Sequence, residues 1–295
     1  DEVREILLQN GFGIEAQDCK GRSVLSVAVT CCDSSAIKFL LGKGANINAI
    51  DSTGRTVVHA ATLSYDYALA VLLEHKDVQV DAQDLEGMSP LHLAASANRG
   101  QAVLQLLDKG ANPRLTDMHG RTPLHEFSRS DDVSQYGLYG LRDQTSRVPK
   151  QLLARGASLD DRDNDKFTPL QLAICNEHLY KSVSLLQCGA QLISAMDSEE
   201  NVWLLQNLVC DAYLAGQLGV FRHVVSVYEI TSSYRRGWLQ RAWKDREGEL
   251  WSEIAQLTPK AELERVTLSF LSGIEFNSSD PDGEIAFLLE HSQLS

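Results

Sequence analysis

The sequence predicts an all-α fold: a solenoid of stacked helix pairs with short β-turn fingers, followed by additional helices. Three observations carry that expectation. Asp18, Asp51, Asp84 and Asp117 recur every 33 residues, and each is followed three residues later by Gly21, Gly54, Gly87 or Gly120. Behind each Asp-x-x-Gly stands a Ser or Thr that opens a short apolar segment, and a second apolar segment follows that ends in glycine. One helix cannot hide so wide an apolar stripe alone, so each copy must bury it against the next.

Taken in order, Val3 to Gly11 has the pattern of a second helix whose first half is absent, giving a half repeat over 1–17 and the expectation of a chain cut from a longer array. Full repeats start near 18, 51, 84, 117 and 163. Their first helices open on Thr56-Val57-Val58-His59, Ser89-Pro90-Leu91-His92, Thr122-Pro123-Leu124-His125 and Thr168-Pro169-Leu170-Gln171. Ser or Thr caps the orphan amides of a helix start, and proline tolerates the first helical position because its missing donor has no partner there. Second helices are expected over 37–44, 103–110, 149–156 and 183–189, with Phe39-Leu40-Leu41 and Leu104, Leu106 and Leu107 among their apolar residues. The first full copy reads Arg22-Ser23-Val24-Leu25-Ser26, without proline or histidine, and the fifth has Lys166 in the glycine position. Both fingers are expected to be distorted.

The fourth repeat is longer than the others. From Asp117 to Asp163 is 46 residues, and the excess lies between about Arg129 and Arg147, an insertion over 129–147 that joins the two helices of the repeat at the end opposite the fingers. Loops of that length are either functional or disordered; Tyr136, Leu138, Tyr139 and Leu141 make this one apolar enough to dock. Beyond Leu192 the 33-residue signature vanishes while helical periodicity continues, through Val202 to Tyr213, through Trp238 and Trp243, and from Thr258-Pro259 to Gly273. Residues 193–295 are thus either degenerate repeats or a capping helical bundle, and the lack of a linker before Trp203 favours a body continuous with the repeats.

These residues resemble the ankyrin repeat, in which a β-turn finger leads into two antiparallel helices. The match extends to Gly44-Ala45-Asn46-Ile47-Asn48-Ala49 and Gly110-Ala111-Asn112 and spans residues 3 to about 192. The resemblance implies binding through the finger tips and the concave first-helix face, and structural hydrogen bonds for His59, His92 and His125. Counting each aspartate as first, the second positions of the fingers are Cys19, Ser52, Leu85, Met118 and Asn164, and the fifth are Arg22, Arg55, Met88, Arg121 and Phe167. Large apolar residues in a polar turn cost solubility, and Met and Arg are enriched where proteins meet. The expected partner-binding residues are therefore Arg22, Arg55, Leu85, Met88, Met118, Arg121 and Phe167, against the alternative that Leu85 and Met88 pack onto neighbouring fingers.

The rest of the sequence argues mainly by exclusion. A formal net charge of −13 disfavours general affinity for nucleic acid, because phosphate binding needs Lys and Arg to displace counterions. Arg235, Arg236, Arg241, Lys244 and Arg246 interleave with Trp238 and Trp243, but Asp245, Glu247 and Glu249 dilute that charge. No apolar run approaches the roughly 20 residues of a membrane helix, and no basic-then-apolar leader opens the chain. Six cysteines without metal-ligand spacing point to reduced, mostly buried thiols in an intracellular protein, cytoplasmic or nuclear. Histidines on successive repeats stand about 10 Å apart, too far to share one metal ion. With no nucleophile, phosphate-loop or metal motif, no catalytic, cofactor or metal residue is assigned. A protein-interaction scaffold or adaptor with a protein partner is the leading expectation. The alternatives are a regulatory or targeting fragment of a larger enzyme and an independent module over 193–295.

Overall fold

The computed structural model describes residues 13–64, 66–130, 147–176, 178–190 and 255. The chain divides into two compact units, residues 1–193 and 194–295. The helix expected at 3–11, the insertion beyond Ser130 and the helices expected over 193–295 fall outside the described residues.

Ten helices stand in the first unit among the described residues: α1 (Val24–Thr30), α2 (Ser34–Gly42), α3 (Val57–Leu63), α4 (Asp66–Leu73), α5 (Pro90–Ser96), α6 (Gly100–Asp108), α7 (Pro123–Arg129), α8 (Arg147–Ala154), α9 (Pro169–Cys175) and α10 (Leu179–Gln187). The first helices of the repeats pack side by side as α1, α3, α5, α7 and α9, and the second helices α2, α4, α6 and α8 form a parallel row behind them. α10 packs on α9 and also against α7. The core runs between the rows, where Leu25, Ile37, Leu69, Leu72, Leu91, Leu106, Leu124 and Leu152 are fully buried. No repeat encloses these side chains by itself, so the apolar burial that stabilises one repeat comes from its neighbours.

Each first helix is started by its cap. Thr56, Ser89, Thr122 and Thr168 are extended and close capping boxes with His59, His92, His125 and Gln171, three residues on. In the first repeat Ser23 accepts from the Ser26 amide without the reciprocal half. The second helices start earlier than expected, with Asp33, Arg99 and His178 as caps, and stop two residues before the expected glycines. Gly110 shows why: at φ +94° it is the left-handed residue beyond the helix, not part of it.

The fingers are antiparallel turns closed on their aspartates. In the second repeat the Asp51 amide donates to the Arg55 carbonyl at 3.0 Å, the Gly54 amide returns to the Asp51 carbonyl at 3.0 Å, and Asp51 Oδ1 accepts from the Thr53 and Arg55 amides. Isolated bridges pair Gln17 with Ser23 and Ile50 with Thr56. The first and fifth fingers are not distorted, contrary to expectation. Asp18 and Asp163 make the same closures as Asp51, to Arg22 and Phe167, and Lys166 takes the left-handed conformation at φ +72° that glycine takes elsewhere.

Candidate functional site

The fingers are tied to one another edge to edge. The amide at the second position of each finger donates to the carbonyl at the third position of the finger before it: Ser52 to Lys20 at 3.0 Å, Leu85 to Thr53 at 3.0 Å, Met118 to Glu86 at 3.1 Å and Asn164 to His119 at 2.9 Å. This ladder needs glycine at the fourth position for a steric reason as well as a conformational one. A Cβ on Gly87 would lie 2.8 Å from the Met118 amide nitrogen. Lys166 stands in the last finger of the series and carries a Cβ in that place.

A second tie comes from the histidines. His92 Nδ1 accepts from the Ser89 amide at 3.1 Å, which leaves the proton on Nε2, and Nε2 donates to the Arg121 carbonyl of the next finger at 2.9 Å. His59 spans to the Met88 carbonyl at 3.0 Å and His125 to the Phe167 carbonyl at 3.1 Å in the same way. Burial lowers the pKa of all three rings, which keeps them neutral for this double role.

The finger arginines are braces. Arg55 Nε donates to Asp84 Oδ2 of the next finger at 2.9 Å, while Arg22 turns back on its own Asp18 at 2.7 Å. Arg121 is drawn between two acids: its Nη1 lies 3.8 Å from Glu126 and its Nε 3.9 Å from Asp163, the latter without a hydrogen bond. Phe167 is half-buried, with its amide on Asp163 Oδ1 at 2.8 Å. Met88 is a correction. It is only 7% exposed, its amide closes on Asp84 at 2.9 Å and its carbonyl takes His59, so it belongs to the junction between fingers and offers no surface. Leu85 and Met118, in contrast, are 69% and 70% exposed on adjacent fingers.

The C-terminal parts of α1 and α3 and the N-cap of α6 frame an open groove of about 570 Å³ lined by Thr30, Cys32, Ala60, Leu63, Ser64 and Arg99. Leu63 is exposed there. The fourth repeat departs from this apolar-and-small pattern. Glu126 replaces the Val27, Ala60, Leu93 and Leu172 of the other repeats, is fully buried, and holds Arg129 through two hydrogen bonds of 3.0 and 2.9 Å. The sequence reading missed this pair, which aligning the five first helices position by position would have singled out.

Two comparisons with protein families decide the identity of the fold. A model of ankyrin repeats in three copies matches residues 1–84, and a second, of ankyrin repeats in many copies, matches residues 72–127. Residues 1–127 carry ankyrin repeats. Comparison with curated proteins gives no match. Ankyrin repeats are in general protein–protein interaction modules and typically non-catalytic; in these ankyrin fingers the histidines are spent on the ladder and the aspartates on turn closure. Among the described residues no three His, Cys, Asp or Glu side chains gather as metal ligands, and no helix is long and apolar enough to cross a membrane. Against the expectation of mostly buried thiols, Cys32 and Cys188 are half-buried and Cys19, Cys31 and Cys175 exposed. They sit at a finger tip, a helix C-cap and a last helical position, all outside the core.

Proposed function

We propose that this chain is a protein-binding scaffold whose partner, another protein, seats on the ridge of finger tips at Leu85 and Met118 and extends onto the adjoining first-helix face. The observation that carries the reading is the exposure of these two large apolar side chains side by side on a backbone held by the finger ladder. A pre-ordered apolar pair loses little entropy on binding, which is how a few residues come to dominate an interface. Arg22, Arg55 and Arg121 contribute mainly through the fingers they brace, and the remaining exposed guanidinium surface acts on encounter rate and salt dependence. Phe167 borders the ridge on its last finger. The exposed thiols support residence in a reducing compartment, the cytoplasm or nucleus.

The test is quantitative affinity capture with wild-type protein and with a Leu85→Ser, Met118→Ser variant, with melting followed in parallel. The reading expects specific partners to be lost from the variant while its melting temperature holds. An unchanged set of captured proteins would remove the finger tips from the interface.

A further inference from the structure

Lys181 occupies a position where lysine does not belong by the logic of the repeat. The matching residues are Ala36, Leu69, Ala102 and, past the insertion, Val148, all buried between the helix rows. Lys181 is buried as deeply, at 1% exposure. Its ammonium donates to the Ser130 carbonyl and, at 2.8 Å, to Ser130 Oγ. It also lies 5.4 Å from the centre of the Phe127 ring, and Phe127 stands where the other repeats have Ala28, Ala61, Ala94 and Ala173. One turn earlier in the same repeat, His178 Nδ1 reaches the Ser128 carbonyl at 2.8 Å. Both contacts cross about 50 residues of sequence and converge on the last turn of α7, the end from which the insertion departs.

A buried ammonium is costly unless its acceptors are held in place, and a cation is favoured where a helix presents its unpaired carbonyls. The insertion supplies the reason for that expense. In the other repeats a short turn couples the two helices, whereas in the fourth a long connection raises the closure entropy and loosens that coupling. We propose that His178 and Lys181 form a polar clasp by which the fifth repeat, in place of the interrupted turn, fixes the C-terminal end of α7 at Ser128 and Ser130. Phe127 fills the space beside the lysine stem and contributes a ring face to its charge.

The clasp is tested by trypsin pulses on the full chain under native conditions, following cleavage after Arg129 against cleavage after Arg114 and Arg155. Lys181→Met keeps the length and apolar body of the side chain while removing the charge. It is expected to speed cleavage of the Arg129–Ser130 bond by about tenfold, the equivalent of losing one charge-assisted hydrogen bond, with Arg114 and Arg155 cut at wild-type rates. Ser130→Ala removes the hydroxyl that accepts from Lys181 and donates to the Phe127 carbonyl at 3.2 Å, spares the core, and is expected to speed the same bond by about threefold. Unchanged cleavage after Arg129 in both variants, or an equal rise at all three arginines, would overturn the proposal.

Discussion

At single residues, the finger geometry separates two methionines that the sequence places in similar turns. Met118 stands at a second position and is exposed, and Met88 at a fifth, where its amide closes the turn over Asp84. Met88→Ser should therefore destabilise the fold by about 1–3 kcal/mol, and Met118→Ser by no more than about 0.5 kcal/mol; urea denaturation of the two variants measures the difference directly. The finger glycines give a second contrast. Gly87→Ala combines a left-handed backbone with a Cβ pressed on the next finger and should cost more than about 1 kcal/mol. Lys166→Gly relieves the same backbone strain at the end of the series and should raise stability by up to about 1 kcal/mol. Equal melting of wild type and Lys166→Gly would show that the lysine is not strained there.

At the level of elements, first helices were legible because their start is written in adjacent residues: a Ser or Thr cap, a proline, a histidine that closes the box. Second helices were legible in their apolar stripe and blurred at their ends, since Arg99 and His178 are not residues that cap by type. The Glu126–Arg129 pair was legible as a departure from the repeat, whereas the arginine braces and the junction of the fourth and fifth repeats were not, because Arg55 and Asp84, or Lys181 and Ser130, meet only through packing between repeats. The boxes carry a pH signature. Burial lowers the folded-state pKa of His59, His92 and His125 below the unfolded value of about 6.5, so unfolding takes up protons only below that pH. Their contribution is complete above pH 6.5 and is lost as pH falls from there toward the depressed folded values, at about 1.4 kcal/mol per pH unit for each proton taken up. Gln171 already fills the box of the fifth repeat, accepting from the Thr168 amide at 2.8 Å. Replacing the three histidines by glutamine should accordingly lower stability at pH 7.5, where the bridge to the next finger is gone, yet flatten the fall in melting temperature between pH 7 and pH 5.5. A variant as acid-sensitive as wild type would assign that sensitivity to other groups.

Over the whole array, the fingers form one continuous edge because each is tied to the next by an amide, three of the four junctions by a histidine as well, and two by an arginine facing the next aspartate. The 33-residue period made that architecture readable at once, whereas the choice of surface residues within it depended on which way each turn position points, and there composition misled for Met88. What the array presents is then a fixed ridge with Leu85 and Met118 at its centre. Hydroxyl-radical footprinting of the free chain and of its complex with a captured partner tests this most directly, because the two methionines serve as probe and control in one molecule. The account predicts that Met118 oxidises readily in the free chain and is protected by about fivefold or more in the complex, while Met88 stays slow in both. Oxidation of Met118 at the same rate with and without saturating partner would contradict it.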